Sequence, residues 1–167
     1  MRNFIVSIVI LFVLIVMMGC GTKSSYIQTS GTKIVNVAEG FTVGRVEDQS
    51  IFYFGPHDSD AFIIDETMKA ELEAQLVKYK LIGNGYKIDV NILDYSPGNA
   101  FARWILPGLG ATRLAVEALI KDKEGVVLAK IPVNRHISAG GAFTIGAYKR
   151  IFTDVAQEIV DVIKKQK

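Results

Sequence analysis

Apolar and polar residues alternate most cleanly between Tyr86 and Ile92. Tyr86, Ile88, Val90 and Ile92 are apolar, while Lys87, Asp89 and Asn91 between them are polar. Successive strand side chains point to opposite faces, so a period of two predicts a half-buried strand. The same period returns in Leu114, Val116, Ala118 and Ile120, set against Arg113, Ala115, Glu117 and Leu119. Residues 126–133 read as a partner strand, reached through a hairpin at Asp122-Lys123-Glu124-Gly125 in which Gly125 supplies a positive φ. Pro132 marks that strand as an edge or a bulge, because it cannot donate to a ladder. Residues 34–37 and 41–43 read as short strand pieces broken at Glu39-Gly40, and 51–54 as another, closed by Gly55-Pro56.

Two stretches follow the helical period instead. From Asp65, a plausible N-cap, the residues Met68, Leu72, Leu76 and Tyr79 share one face, and Gly83-Asn84-Gly85 reads as the stop. The last stretch is the strongest helix: Tyr148, Ile151, Phe152, Val155, Ile159, Val162 and Ile163 make one apolar stripe, with Lys149, Arg150, Asp154, Glu158 and Asp161 facing out. Two such helices bury both stripes most simply on one face of a mainly antiparallel or mixed sheet, which predicts a single α+β domain.

The amino terminus follows neither period. Phe4 to Met18 is an apolar run interrupted by Ser7 alone, behind Arg2, ending in Gly19-Cys20, and the chain turns polar at once. About fifteen apolar residues make a helix of roughly 22 Å, short of the roughly 30 Å hydrocarbon core. A charged start, a short apolar run and small residues at the cut are the parts of a secretory signal. Residues 1–19 are read as a lipoprotein signal peptide, Cys20 as the lipidated residue, 20–33 as a flexible Ser/Thr/Gly tether and 34–167 as the domain. The lipobox position occupied by Leu in most lipoproteins is Met17 here. This places the domain in the cell envelope, outside the cytoplasmic membrane and facing the periplasm of a Gram-negative cell. Gly21 favours the outer membrane.

Charge narrows the partners. The whole chain has 19 Lys and Arg against 17 Asp and Glu, one of the cations being Arg2 of the leader. A near-neutral domain lacks the dense basic face that nucleic acid requires. Lys164-Lys165-Gln166-Lys167 reads as a solvated helix end. Cys20 is the only cysteine, so there is no intrachain disulfide, no cysteine metal site and no thiol catalysis.

No motif names a reaction, and no cofactor or metal is implied. Gly108-Leu109-Gly110 lacks the third glycine of a dinucleotide loop, that position being Arg113. His57, Asp58 and Asp60 form a turn rather than a metal cage, and His136 meets His57 only if folding brings them together. The most unusual stretch runs from Pro97 to Arg113, a connection holding the only Trp and several large apolar residues. Either its apolar side chains fold back on the core as a long hairpin, or Phe101, Arg103, Trp104, Ile105 and Leu106 form a contact surface for a protein partner or the lipid surface.

Several features together resemble the small envelope lipoproteins grouped as domain of unknown function 4410. They are Gly98-Asn-Ala-Phe-Ala-Arg103 and Pro107-Gly-Leu-Gly110, Asp122-x-x-Gly125 followed by Val-Val-Leu-Ala, and a Gly-rich lead into a final helix. The resemblance covers about Ile34 to Lys165 and departs from the pattern at the bulky Trp104-Ile105-Leu106. It implies a lipid-anchored α+β domain and no established reaction. The expectation is a non-enzymatic binding or scaffold protein of an envelope complex, held to the membrane through Cys20. The alternatives are an accessory lipoprotein of an envelope transport system, or a small hydrolase or ligand-binding protein using His57 and His136.

Overall fold

A computed structural model describes residues 24–29, 35–52, 62–105, 109–138 and 146–166. Its elements in chain order are β1 (Ile27–Gln28), a 3-10 turn (Val37–Glu39), β2 (Phe41–Asp48), α1 (Ile64–Lys78), β3 (Tyr86–Ser96), α2 (Ala100–Ile105), β4 (Thr112–Lys121), β5 (Val127–Ile137) and α3 (Ala147–Lys164). The five strands form one sheet in the order β1-β5-β4-β3-β2. β2 and β3 are parallel and joined through α1, whereas the remaining pairs are antiparallel. The sheet is therefore mixed, and α1 and α3 cover one of its faces. The fold class matches the α+β expectation.

The period of two does what the sequence implied. Tyr86, Ile88, Val90 and Ile92 of β3 and Leu114, Val116, Ala118 and Ile120 of β4 are buried against the helices, with Ile131 and Val133 of β5. Met68, Leu72 and Leu76 of α1 meet Ile151, Phe152, Val155 and Ile159 of α3 in the same core. A fully buried apolar side chain of this size contributes about 1.5–3 kcal/mol, so this single core accounts for the stability without a crosslink.

The local chemistry differs from expectation in several places. Residues 35–39 form no strand: Asn36 accepts the Ala38 N–H at 3.2 Å and starts the 3-10 turn, with Val37 buried beneath it. β2 instead runs eight residues. Ile51 and Phe52 lie in no regular element, and 53–54 lie outside the described residues. Asp65 is not the cap of α1: Ile63 holds that position, and the Asp65 carboxylate accepts the neighbouring Glu66 N–H in the first turn. Nor does Gly83-Asn84-Gly85 end α1. The chain turns at Lys80, in the left-handed region at φ 56. Lys80 N–H donates to Val77 O and Leu81 N–H to Leu76 O, the paired bonds of a Schellman stop.

The hairpin after β4 is as expected. The Asp122 carboxylate accepts the N–H groups of Glu124 and Val126 at 3.1 and 2.8 Å, and Gly125 takes φ 86. That explains why the loop needs Asp at its first position and Gly at its fourth. Pro132 lies on the outer strand of the main sheet, beyond the two residues that pair with β1.

The stretch read as a tether is partly docked. β1 pairs Ile27 with Lys130 and Gln28 with Ala129. Tyr26 packs on the core, and burial, followed by the Tyr86 charge, pushes its hydroxyl pKa up. Ser24 donates from its N–H at 3.3 Å and from its hydroxyl to the Glu158 carboxylate of α3, which Arg135 of β5 also grips. A polar composition does not exclude edge pairing when an open strand edge is at hand.

Candidate functional site

The connection between β3 and β4 stands apart from the rest of the surface. β3 ends at Ser96, Pro97 and Gly98 follow, and Asn99 then caps α2 by accepting the Ala102 N–H at 2.9 Å. The two ends of the excursion are tied together. Asn99 N–H donates to Gly110 O at 2.9 Å, and the fully buried Thr112 hydroxyl donates to Pro97 O at 2.7 Å. Gly110 takes φ 67, and a Cβ there would come within 2.9 Å of Asn99 O and 3.0 Å of the Ala102 Cβ. Only glycine fits that closure.

A connection closed at its base and built on a short helix is not the long hairpin folded onto the core. Among its described large apolar side chains, three point outward: Phe101 is 69% exposed, Ile105 60% and Leu109 55%. Arg103 and Trp104 lie in α2, but their side chains, like all of Leu106, fall outside what is described. An open depression of about 510 Å³ lies at the base of α2, lined by Phe52, Pro97, Asn99, Gly110 and Arg113 among others. An aromatic cluster supports it from below. Tyr95 meets Phe52, Phe62 and Phe152 at ring distances of 5.3, 6.0 and 5.2 Å, and its hydroxyl donates to Tyr148 O at 3.0 Å. Burial, with the Tyr148 charge second, pushes the Tyr95 hydroxyl pKa well up, so it stays a neutral donor.

His136 is exposed on β5, opposite Arg113 of β4, and borders a depression of about 180 Å³ with Asp94 and Asn134. His57, Asp58 and Asp60 lie outside the described residues, so nothing here joins His136 to His57. Among the described residues no three His, Cys, Asp or Glu side chains are grouped to hold a metal, and no helix is long and apolar enough to cross a membrane.

Two polar arrangements had no sequence signal. On the sheet face away from the helices, Lys121 Nζ lies 2.6 Å from Asp89, whose other carboxylate oxygen accepts the Arg45 N–H at 2.9 Å. Burial pushes the Asp89 carboxyl up, but the Lys121 hydrogen bond, the Arg45 N–H and the Lys121 and Lys87 charges outweigh it and hold the pKa below its usual value. Gly44 makes room for this group, because a Cβ there would collide with the Asp89 carboxylate. The second arrangement is the Ser24–Glu158–Arg135 clasp. It joins residues far apart in the chain, and no local pattern announces it. Of the terminal residues read as a solvated helix end, Lys165 and Gln166 are exposed, whereas Lys164 is half-buried, pairs with Asp161 at 3.2 Å and lies 3.9 Å over the Tyr79 ring; Lys167 lies outside the described residues.

No curated relative matches the chain in sequence. Among solved structures, the PelC dodecamer of Paraburkholderia phytofirmans is similar at 11% identity, covering 83% of this chain and 97% of that one with a TM-score of 0.50. A candidate lipoprotein from Caulobacter crescentus is 15% identical, covering 72% and 89% with a TM-score of 0.43. A minor lipoprotein from Acinetobacter baumannii is 14% identical, covering 72% and 92% with a TM-score of 0.38. At these identities the likeness to PelC is one of fold. The model of the family described as Domain of unknown function (DUF4410) matches residues 59–141, which run from ahead of α1 through the whole of β5 and include the 97–111 connection. Over those residues the chain is similar to the DUF4410 family.

Proposed function

We propose that this is a lipid-anchored envelope protein with a non-enzymatic binding role, and that its contact surface is the 97–111 connection. The observation that carries the reading is the outward placement of Phe101 and Ile105 on α2, and of Leu109 after it, in a connection whose base is closed by hydrogen bonds. Large apolar side chains held out by a built structure mark an interaction surface more strongly than single exposed residues do. The leader ending at Cys20 supports the anchor.

Mass spectrometry of the chain purified from membranes tests the anchor. The expected product begins at Cys20 and carries a diacylglyceryl thioether. A chain that still begins at Met1 with a free thiol refutes it. Crosslinking in living cells through a photoreactive side chain at position 101 tests the contact surface. Adducts are expected there and not from the same probe at Val126 in the opposite hairpin, and equal labelling at both positions refutes the assignment.

A further inference from the structure

The docked amino-terminal segment limits which end of the domain can face the membrane. β2 and β3 finish, and β4 begins, at the end of the sheet that carries the 97–111 connection. β5 finishes there too, since Ile137 lies opposite Thr112. The Asp122 hairpin and the carboxyl end of α3 lie at the other end. β1 is antiparallel to β5, with Gln28 at Ala129 and Ile27 at Lys130. The chain upstream of Ile27 therefore climbs toward the connection end.

Reach decides between the two ends. Three residues beyond Ile27 bring Ser24 level with Val133, where it bonds to Glu158. At about 3.3 Å per residue, the end of β5 is then about 13 Å above it and the start of β5 about 20 Å below. Cys20 is four residues from Ser24, and four residues span at most about 14 Å whatever their path. A lipid on Cys20 can reach a bilayer at the connection end. It cannot reach one lying beyond the hairpin.

The exposed apolar residues choose the same end. Ile51, at 92% exposed, follows β2, and Ile63, at 58%, precedes α1. Their chain neighbours Phe52 and Phe62 both pack on Tyr95 at the top of β3. With Phe101, Ile105 and Leu109 they put five large exposed apolar side chains at one end. The hairpin end has Val77, Ile82 and Val126. The β5–α3 flank beside Ser24 carries Arg135, Asp154, Glu158, Asp161 and Lys165 around an open depression, a densely charged surface without the exposed apolar side chains of the connection end. Charge at the apolar end is mixed, with Arg113, Lys149 and Arg150 exposed near Asp48 and Glu66. Contact there depends on apolar side chains rather than on anionic lipid.

We propose that the end of the domain carrying the 97–111 connection lies on the bilayer that holds Cys20, with Phe101, Ile105 and Leu109 in the headgroup layer. This rests on the anchor reading of Cys20 and names the counterpart of the proposed contact surface as the lipid itself. Apolar side chains of interfacial helices enter the boundary between headgroups and chains by about 5–10 Å, and Trp and Tyr favour that depth.

Trp104 is the only tryptophan and lies in α2, which makes fluorescence a direct test. The full lipidated chain is reconstituted into phosphatidylcholine vesicles with chains brominated near the headgroup, or with unbrominated chains. The F101W/W104F variant moves the probe to the exposed position 101. The V126W/W104F variant moves it to the hairpin. Brominated lipid is expected to quench the position 101 probe about twofold and leave the hairpin probe unchanged, with aqueous iodide showing the opposite pattern. Flotation with vesicles but no lipid quenching at position 101 overturns this proposal and leaves the anchor standing. Protection of position 101 from both quenchers assigns the surface to a protein and also overturns it. A chain that does not float with vesicles removes the anchor reading and this proposal together.

Discussion

Replacing Thr112 by Val isolates the bond that closes the base of the connection. The two side chains have nearly the same shape, so the substitution removes the hydroxyl without opening a cavity. What is lost is one hydrogen bond of 2.7 Å from a fully buried donor to Pro97 O. Such a bond contributes about 1 kcal/mol net, and the half-buried Pro97 carbonyl left without its partner adds at most the lower part of the about 1–3 kcal/mol penalty for an unsatisfied buried group. The added methyl returns up to about 0.8 kcal/mol of burial. The expected cost is about 1–2 kcal/mol. With a urea slope of about 2 kcal/mol per M, the unfolding midpoint should fall by about 0.5–1 M. The connection should also open more often than the sheet, because its anchoring is local. Limited proteolysis within 97–111 should therefore speed up. An unchanged midpoint, with unchanged cleavage, would show that the connection is not held by this bond and would remove the argument that its apolar side chains are presented by a built structure.

Three further outcomes follow from the same structure. Lys80→Gly should raise the urea midpoint: the left-handed turn costs a side-chain residue about 1–2 kcal/mol, and the extra freedom of glycine in the unfolded chain returns only part of that gain; a lower midpoint contradicts the helix stop described here. Phe152→Ala should cost about 3–5 kcal/mol, because the ring is fully buried against Phe62 and Tyr95, and circular dichroism during urea unfolding reads it. Asp89 has a folded-state pKa below its unfolded value of about 3.9, so its contribution is present above that value and lost as pH falls through the lowered one. Melting temperatures measured from pH 7 to pH 2 should fall on that limb, and Asp89→Asn should flatten it; a wild-type and variant pair with parallel profiles would contradict the assignment.

What was legible in the sequence was what repeats locally. The alternation at Tyr86–Ile92 and Leu114–Ile120 and the stripe from Ile151 to Ile163 are burial patterns written at fixed spacing, and each appears in the core; Tyr148 is only half-buried, and Glu158, read as facing out, has a side chain 11% exposed against Arg135. The Asp122 hairpin was legible because its Asp and Gly each have a local backbone task. Other features depend on partners distant in the chain. Val37 is apolar because the core needs it, yet Asn36 turns the backbone into a 3-10 coil rather than a strand. Lys80 takes a conformation usually given to glycine, while the glycines at 83 and 85 serve the close approach of Glu39 and Gly40. The docking of residues 24–28 depends on an open edge of β5 and on Glu158, both more than a hundred residues away. At the candidate site the composition of 97–113 was visibly unusual. Whether Phe101 and Ile105 face in or out depended on a closure made by Asn99, Gly110 and Thr112 that spacing does not display.

Amide hydrogen exchange on the lipidated chain in phosphatidylcholine vesicles, compared with a chain beginning at Gly21 free in buffer, tests the central claim most directly. Slower exchange confined to 97–111 and the residues around Ile51 and Ile63, with the Asp122 hairpin unaffected, is the predicted result. Slower exchange at the hairpin, or none at 97–111, would contradict it.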